Sequence, residues 1–198
     1  MPRITAGTIV EHVAQQEAAV LAAAVRLFTE RSIDQVTMGD IAAEVGLARS
    51  SLYRYFPDKG HLLSRWFHIE MAPLLAASHD IASADVPADE RLEQWIDLHF
   101  EYLMAPGHRA MIIATIGFGD LDPALRVEMV DGHQVLYDTL AVIIGELLGS
   151  DTDRDLAVVS MLVVGLVRAA ADQVARGSGT DVVRHELRSA ANAVVALP

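Results

Sequence analysis

The sequence predicts an all-α protein of about nine helices, with a three-helix head over residues 1–57 and a larger helical body over residues 58–198. Three observations lead there. Apolar residues recur at spacings of three, four and seven. No strand-like alternation of any length interrupts them, and glycine, proline and capping residues cut the chain into helix-sized pieces. At 198 residues and 52% hydrophobic content, the chain has material for a small domain attached to a larger one, with apolar surface enough for a core.

The elements follow in order. Thr8 and Glu11 fit a capping box, so a first helix is expected from about residue 9 to residue 31. Val13, Val20, Leu21, Ala24, Leu27 and Phe28 form its inward stripe. Thr37 starts a second helix with Asp40 in its first turn, Met38, Ile41, Ala42 and Val45 on its apolar face, and Gly46 placed to end it in the left-handed conformation. A third helix runs from Ala48 or Arg49 to Phe56, where Pro57 disfavours helical geometry in the residue before it. Asp58 caps a fourth, longer helix that connects head to body. Two short helices joined by a glycine turn after a long one make a helix-turn-helix. Loop signals at 84–87, 105–107, 119–123, 149–153 and 177–179 then divide five further helices.

Composition removes several functions. Cysteine is absent, which excludes disulfides, thiolate nucleophiles and cysteine-ligated zinc. No G-x-S-x-G, Walker A, H-E-x-x-H or dinucleotide fingerprint occurs. His61 and His68 stand two helical turns apart, too far to share a metal ion. Neither enzyme activity, cofactor nor metal is expected. The opening residues lack the apolar run of a signal peptide, and the longest apolar run, residues 156–167, is shorter than the roughly 20 residues that span a bilayer. A cytoplasmic protein without a membrane role is expected.

Charge is unevenly placed. The formal net charge is −12, yet residues 1–60 hold six cations against seven anions, leaving nine against twenty beyond them. An acidic body behind a near-neutral head repels phosphate everywhere but at the head, which favours orientation more than affinity. Within that head, GLARSSLYRYFPDKGHLL (residues 46–63) gathers two tyrosines, two arginines and the only lysine of the chain, Lys59.

At roughly 100° per residue, Leu52 and Phe56 fall about 40° apart and define the buried side of the third helix, with Arg54 opposite. Tyr53 and Tyr55 flank Arg54, and Ser50 and Ser51 share its outward half. A helix in the major groove needs base-reading groups on its outer line and phosphate donors on both flanks. Arg49 and Arg54 suit guanine edges, and the serine hydroxyls suit several bases. The phenols of Tyr53 and Tyr55, the hydroxyl of Thr37 and the ammonium of Lys59 suit phosphates.

Residues 18–63 resemble the DNA-binding head of the tetracycline-repressor (TetR) family. The LF of the first helix, T-x-x-x-I-A, the G-[LV] turn, L-Y-x-x-F and the lysine opening the fourth helix match in order and spacing. The resemblance implies base-facing roles for Arg49, Ser50, Ser51 and Arg54, and phosphate-facing roles for Thr37, Tyr53, Tyr55 and Lys59. It departs at two positions. Ser32 replaces the usual glycine after the first helix, so a strained or altered turn is expected. Ala48 replaces the usual capping Ser or Thr of the recognition helix, forgoing about 1 kcal/mol.

One short helix reads too little sequence, so such heads act in pairs on two half-sites of a double-stranded operator. The last two helices, residues 155–176 and 182–195, offer the surface for a homodimer: Leu162, Gly165, Leu166, Ala169, Leu187, Ala191 and Val194. Between head and dimer surface, Trp66, Trp95, His99, Leu103, Met111, Phe118, Met129, His133 and Tyr137 are candidates to line a cavity for a small, largely apolar effector. The expected function is a ligand-responsive repressor released from its operator by the effector. An activator on the same scaffold, and a helical ligand-binding protein without a DNA role, are the alternatives.

Overall fold

Helices occupy the segments between the breakers. The computed structural model describes residues 6–117, 119 and 121–196, and among them there are nine α-helices and no strand. The order is α1 (Ala6–Glu30), a 3-10 turn (Ile33–Gln35), α2 (Met38–Glu44), α3 (Arg49–Leu52), α4 (Lys59–Ser83), α5 (Ala88–Met104), α6 (Pro106–Gly117), α7 (Pro123–Leu148), α8 (Leu156–Ala175) and α9 (Thr180–Ala196). Two compact units result. The first comprises the residues up to Ile69 together with Ala110–Val127, and the second comprises Glu70–Arg109 and the residues from Glu128 onward.

Several boundaries differ from the sequence expectation. The first helix already runs at Ala6, so Thr8 lies inside it and not at its cap; a capping box contributes too little to fix where a 25-residue helix begins. The regular part of α3 is only four residues long. Its continuation tightens into i→i+3 bonds, Arg54 to Ser51 and Tyr55 to Leu52, before the Phe56 amide returns to Leu52 at 3.0 Å. Pro57 accounts for this, because it disfavours α geometry at Phe56 and cannot donate to continue the ladder. Ser32 carries no strain: it is extended, with φ −56° and ψ 138°, and opens the 3-10 turn. Besides α1–α3, the first unit holds the start of α4 and a piece of α6 and α7.

In the first unit, Val20, Leu27 and Phe28 of α1 bury with Ile33 and Val36 of the turn, Ile41 of α2, and Leu52 and Phe56 around α3. Truncating such a side chain to alanine typically costs about 2–5 kcal/mol. Arg26 of α1 pairs with Glu44 of α2. The turn between α2 and α3 depends on Gly46 at φ +68°, a conformation that costs a side-chain-bearing residue. Gly60, at the start of α4, is where residues 121–125 come close: a Cβ there would stand 3.2 Å from Leu125 and 3.4 Å from Leu121.

The second unit is held by polar ties between helix ends as well as by apolar contact. Arg91 of α5 donates to the Ala82 carbonyl of α4 at 2.7 Å and pairs with Glu146 of α7. Arg154 donates to the carbonyls of Val194 and Val195 at 2.9 and 2.7 Å, satisfying the C-terminal end of α9. Arg184 and Arg188 of α9 pair with Asp97 of α5. Asp155 caps α8, accepting from the amides of Ala157 and Val158. Arg168 ends the uninterrupted apolar run of α8, yet the 20-residue helix, with mean hydropathy 1.6, is by length and composition long and apolar enough to cross a membrane. Its Val159, Val163 and Val167 nevertheless bury inside the unit, where α8 packs on α5 and α9.

Candidate nucleic-acid interface

The outward face of the head follows from what α3 buries. Leu52 is 0% exposed and Phe56 is also buried, which turns Arg49, Ser50, Tyr53 and Arg54 to solvent. Ser51, Tyr55 and Lys59 are half-buried at the margins. All seven residues expected near α3 are therefore at least partly exposed on or beside a short, well-anchored segment.

Polar contacts within this face set what each group can offer. The Arg49 guanidinium donates to the Tyr53 phenol oxygen at 3.1 Å and lies 5.6 Å from the ring centroid. Because the phenol accepts that bond, its own O–H stays available as a donor. Thr37 is a cap: its hydroxyl accepts from the Asp40 amide at 3.1 Å and donates to the Asp40 carboxylate at 2.8 Å. The Thr37 amide donates to the same carboxylate at 2.8 Å. These bonds hold the Asp40 carboxyl below its ordinary pKa. The Thr37 hydroxyl must leave Asp40 to contact a phosphate. Lys59 donates to the Ile33 carbonyl at 2.8 Å, a tie between the 3-10 turn and the start of α4. Asp58 caps α4 by accepting from the His61 amide at 2.9 Å. Ala48, as expected from its side chain, makes no cap.

Residues 20–65 match the family model described as bacterial regulatory proteins, tetR family. This segment is a tetR-family domain. It runs from the middle of α1 into α4 and contains every residue of the face just described. No curated protein matches the chain in sequence. Among solved structures, a putative transcriptional regulator from Pseudomonas aeruginosa PAO1 superposes with a TM-score of 0.77 at 15% identity, covering 92% of this chain and 89% of that one. The Bacillus subtilis regulator FadR in complex with stearoyl-CoA gives 0.65 at 21% identity, with 90% and 95% covered. A putative regulator from Saccharomonospora viridis in complex with choline gives 0.70 at 22% identity, with 89% and 95% covered. At such identities the likeness extends the fold beyond the tetR-family domain to nearly the whole chain.

Outside the tetR-family domain the expected effector-lining residues divide. Met111 is buried in the first unit, as is Trp66, just past the matched segment. Trp95, His99, Leu103, Met129, His133 and Tyr137 fall in the second. Phe118 lies outside the described residues. Trp95 donates to the Thr139 hydroxyl at 3.1 Å and stacks on His99, with centroids 3.4 Å apart. His99 bonds the Trp95 carbonyl at 2.8 Å through Nδ1, and burial lowers its pKa to about 4. That histidine is a neutral core group with its hydrogen bonding met inside the unit.

Two residues that sequence reasoning passed over stand closer to unspent chemistry. His108 of α6 is 3% exposed, and its Nδ1 has no hydrogen-bond partner among the described residues. Tyr102 of α5 lies against it, with centroids 4.2 Å apart.

The candidates for a dimer surface also divide. Leu187 and Ala191 are buried within their own chain. Gly165 and Ala169 are exposed, and Leu162 is 52% exposed beside Val158 at 52% and Met161 at 64%. Leu166 and Val194 are half-buried. The stripe on α8 is apolar and open, whereas that of α9 has been spent internally.

Proposed function

We propose that the chain is a cytoplasmic transcriptional repressor that binds a palindromic double-stranded operator as a homodimer and is released by a small effector held in the helical body. The carrying observation is the anchoring of α3 by Leu52 and Phe56, which presents Arg49, Ser50 and Arg54 together. Residues up to Pro57 read the DNA. Residues 58–198 bind effector and pair the subunits.

In this reading Arg49, Ser50, Ser51 and Arg54 meet base edges, and Tyr53, Tyr55, Lys59 and Thr37 meet phosphates on either side. The two heads are spaced by a two-fold interface on the exposed stripe of α8, Val158, Met161, Leu162, Gly165 and Ala169, rather than on Leu187 and Ala191. Pairing also removes the apolar side of α8 from water without a bilayer. The ligands named for two similar structures, stearoyl-CoA and choline, support a body that accommodates small molecules of diverse chemistry. An effector acts only through its preference for the conformation that fits DNA less well.

Selection from a pool of random duplexes at low ionic strength tests the reading. Recovery of an inverted repeat is expected; a pool that emerges with unchanged composition contradicts it.

A further inference from the structure

We propose that His108, His133, Arg168 and Tyr102 form the polar end of the effector site in the second unit, and that the effector presents a carboxylate to them. This rests on the effector-responsive reading above and gives that effector a chemical class. The side chains come from four helices: Tyr102 from α5, His108 from the first turn of α6, His133 from α7 and Arg168 from α8.

His108 is the reason to look here. Its ring is almost wholly buried, and a buried ring nitrogen without a partner costs the full loss of its water. Such a group calls for a partner from outside the chain, either a ligand or a water molecule. The adjacent phenol is weakly committed. Tyr102 donates to the Met71 thioether at 3.3 Å, and sulfur is a poor acceptor. An oxygen anion at the Nδ1 edge of His108, beside the phenol, gains a phenol donor at little loss.

The surroundings select the sign of charge. The His108 pKa is lowered to about 4, by burial first and then by the charges of His133 and Arg168. His133 is lowered by burial and by Arg168, against the upward pull of its bond to the Met129 carbonyl. Arg168, whose charge is permanent, acts on both histidines, so an anion is favoured there over a cation. Glu70 of α4 is the opposing group. Its carboxylate would lie 3.6 Å from a Cβ on Gly107, and its charge is felt at Tyr102, where it and burial raise the phenol pKa.

A single negative charge fits better than a phosphate dianion, because Arg168, the permanent cation of the set, is exposed and only the histidines can add to it by taking up a proton. The buried thioethers of Met71 and Met129 nearby suit an apolar body behind the carboxylate. A carboxylate that settles on His108 stabilises the imidazolium, so binding takes up a proton and weakens as pH rises.

Titration calorimetry with straight-chain carboxylates from butyrate to dodecanoate, each beside its amide and its alkylammonium counterpart, tests this on the full-length chain. One carboxylate of the series should bind at least about tenfold more tightly than its amide, with no binding of the alkylammonium. Heats measured in buffers of different ionisation enthalpy should show proton uptake, and His108→Gln and Arg168→Ala should each weaken the carboxylate by about tenfold or more. Arg168 is exposed, so its variant stays informative if the His108 variant fails to fold.

Equal binding of acid and amide, preference for the alkylammonium, no binding by any carboxylate, or variants that bind as well as the parent overturns the proposal. Operator binding is measured on the same preparations. Protein that binds its selected duplex but no carboxylate sinks the carboxylate site alone; protein that takes the carboxylate but ignores every duplex sinks the repressor reading and leaves the site standing.

Discussion

The ammonium of Lys59 donates to the carbonyl of Ile33 at 2.8 Å, across 26 residues of sequence. It ties the start of α4 to the turn that precedes α2. The single lysine of the chain therefore has two duties in the proposed complex, one inside the head and one toward a phosphate. Lys59→Met should remove both. The salt dependence of duplex binding should flatten by about one phosphate's worth, with log K against log salt less steep by roughly 0.9, and the head should lose about 1–3 kcal/mol of stability. An unaltered salt slope assigns Lys59 to the internal tie alone.

Arg54 lies between the buried Leu52 and Phe56 in sequence and is exposed. Arg54→Ala should cost about 1–3 kcal/mol on the selected site and relax preference at one position of each half-site. Competition binding against single-base variants of that site measures it. A variant with unchanged base preference removes Arg54 from the reading role.

Gly165 is exposed on α8, and a Cβ built there meets nothing within 4 Å of its own chain. Gly165→Leu should leave the fold intact, by circular dichroism, while light scattering reports monomers. An undisturbed dimer moves the interface off this stripe.

His99 and His108 each have a pKa lowered to about 4, with burial as the first cause. In the unfolded chain a histidine titrates near 6.5. Between those values the unfolded state binds the more protons, so the stability of the second unit is fully present above about pH 6.5 and is lost as pH falls toward 4. Each group can account for a loss on the order of 2–3 kcal/mol across that window. His99→Phe, which keeps a ring against Trp95, should make denaturation midpoints less steep in pH over that range. A slope equal to that of the parent assigns the acid sensitivity elsewhere.

The head was legible because its signals are local. Thr37 with Asp40, Gly46, Pro57 and Asp58 each act through a backbone group within four residues, so their effects are printed in the sequence. Leu52 and Phe56 could be placed inside from helical spacing alone. What spacing could not show was the tightening of α3 ahead of Pro57, or that Ser32 would escape strain by adopting an extended conformation instead of a left-handed one.

The body was legible as helices but not as a site. Met129 and His133 share a helix face, as their four-residue step requires, yet the company they keep is decided by tertiary packing. His108 carried no local mark beyond following Pro106 and Gly107 at a helix start, so its burial against Tyr102 had to be seen. Leu187 and Ala191 lie on the apolar stripe of α9, and an apolar stripe does not say whether its own chain or another covers it. Pro73 was also passed over. It sits within α4 and cannot donate to the carbonyl of Ile69, the residue at which the first stretch of the first unit ends.

The central claim is that the exposed rim of α3 lies along a duplex. Site-specific photocrosslinking tests it most directly: a photoreactive side chain is placed at Ser50 on that rim, or at His79 on an exposed position of α4 in the second unit, and irradiated with the selected duplex. The expected result is abundant crosslinking from position 50, mapped to bases within each half-site, and background levels from position 79. Equal yields from the two positions, in protein that still folds, contradict the claim.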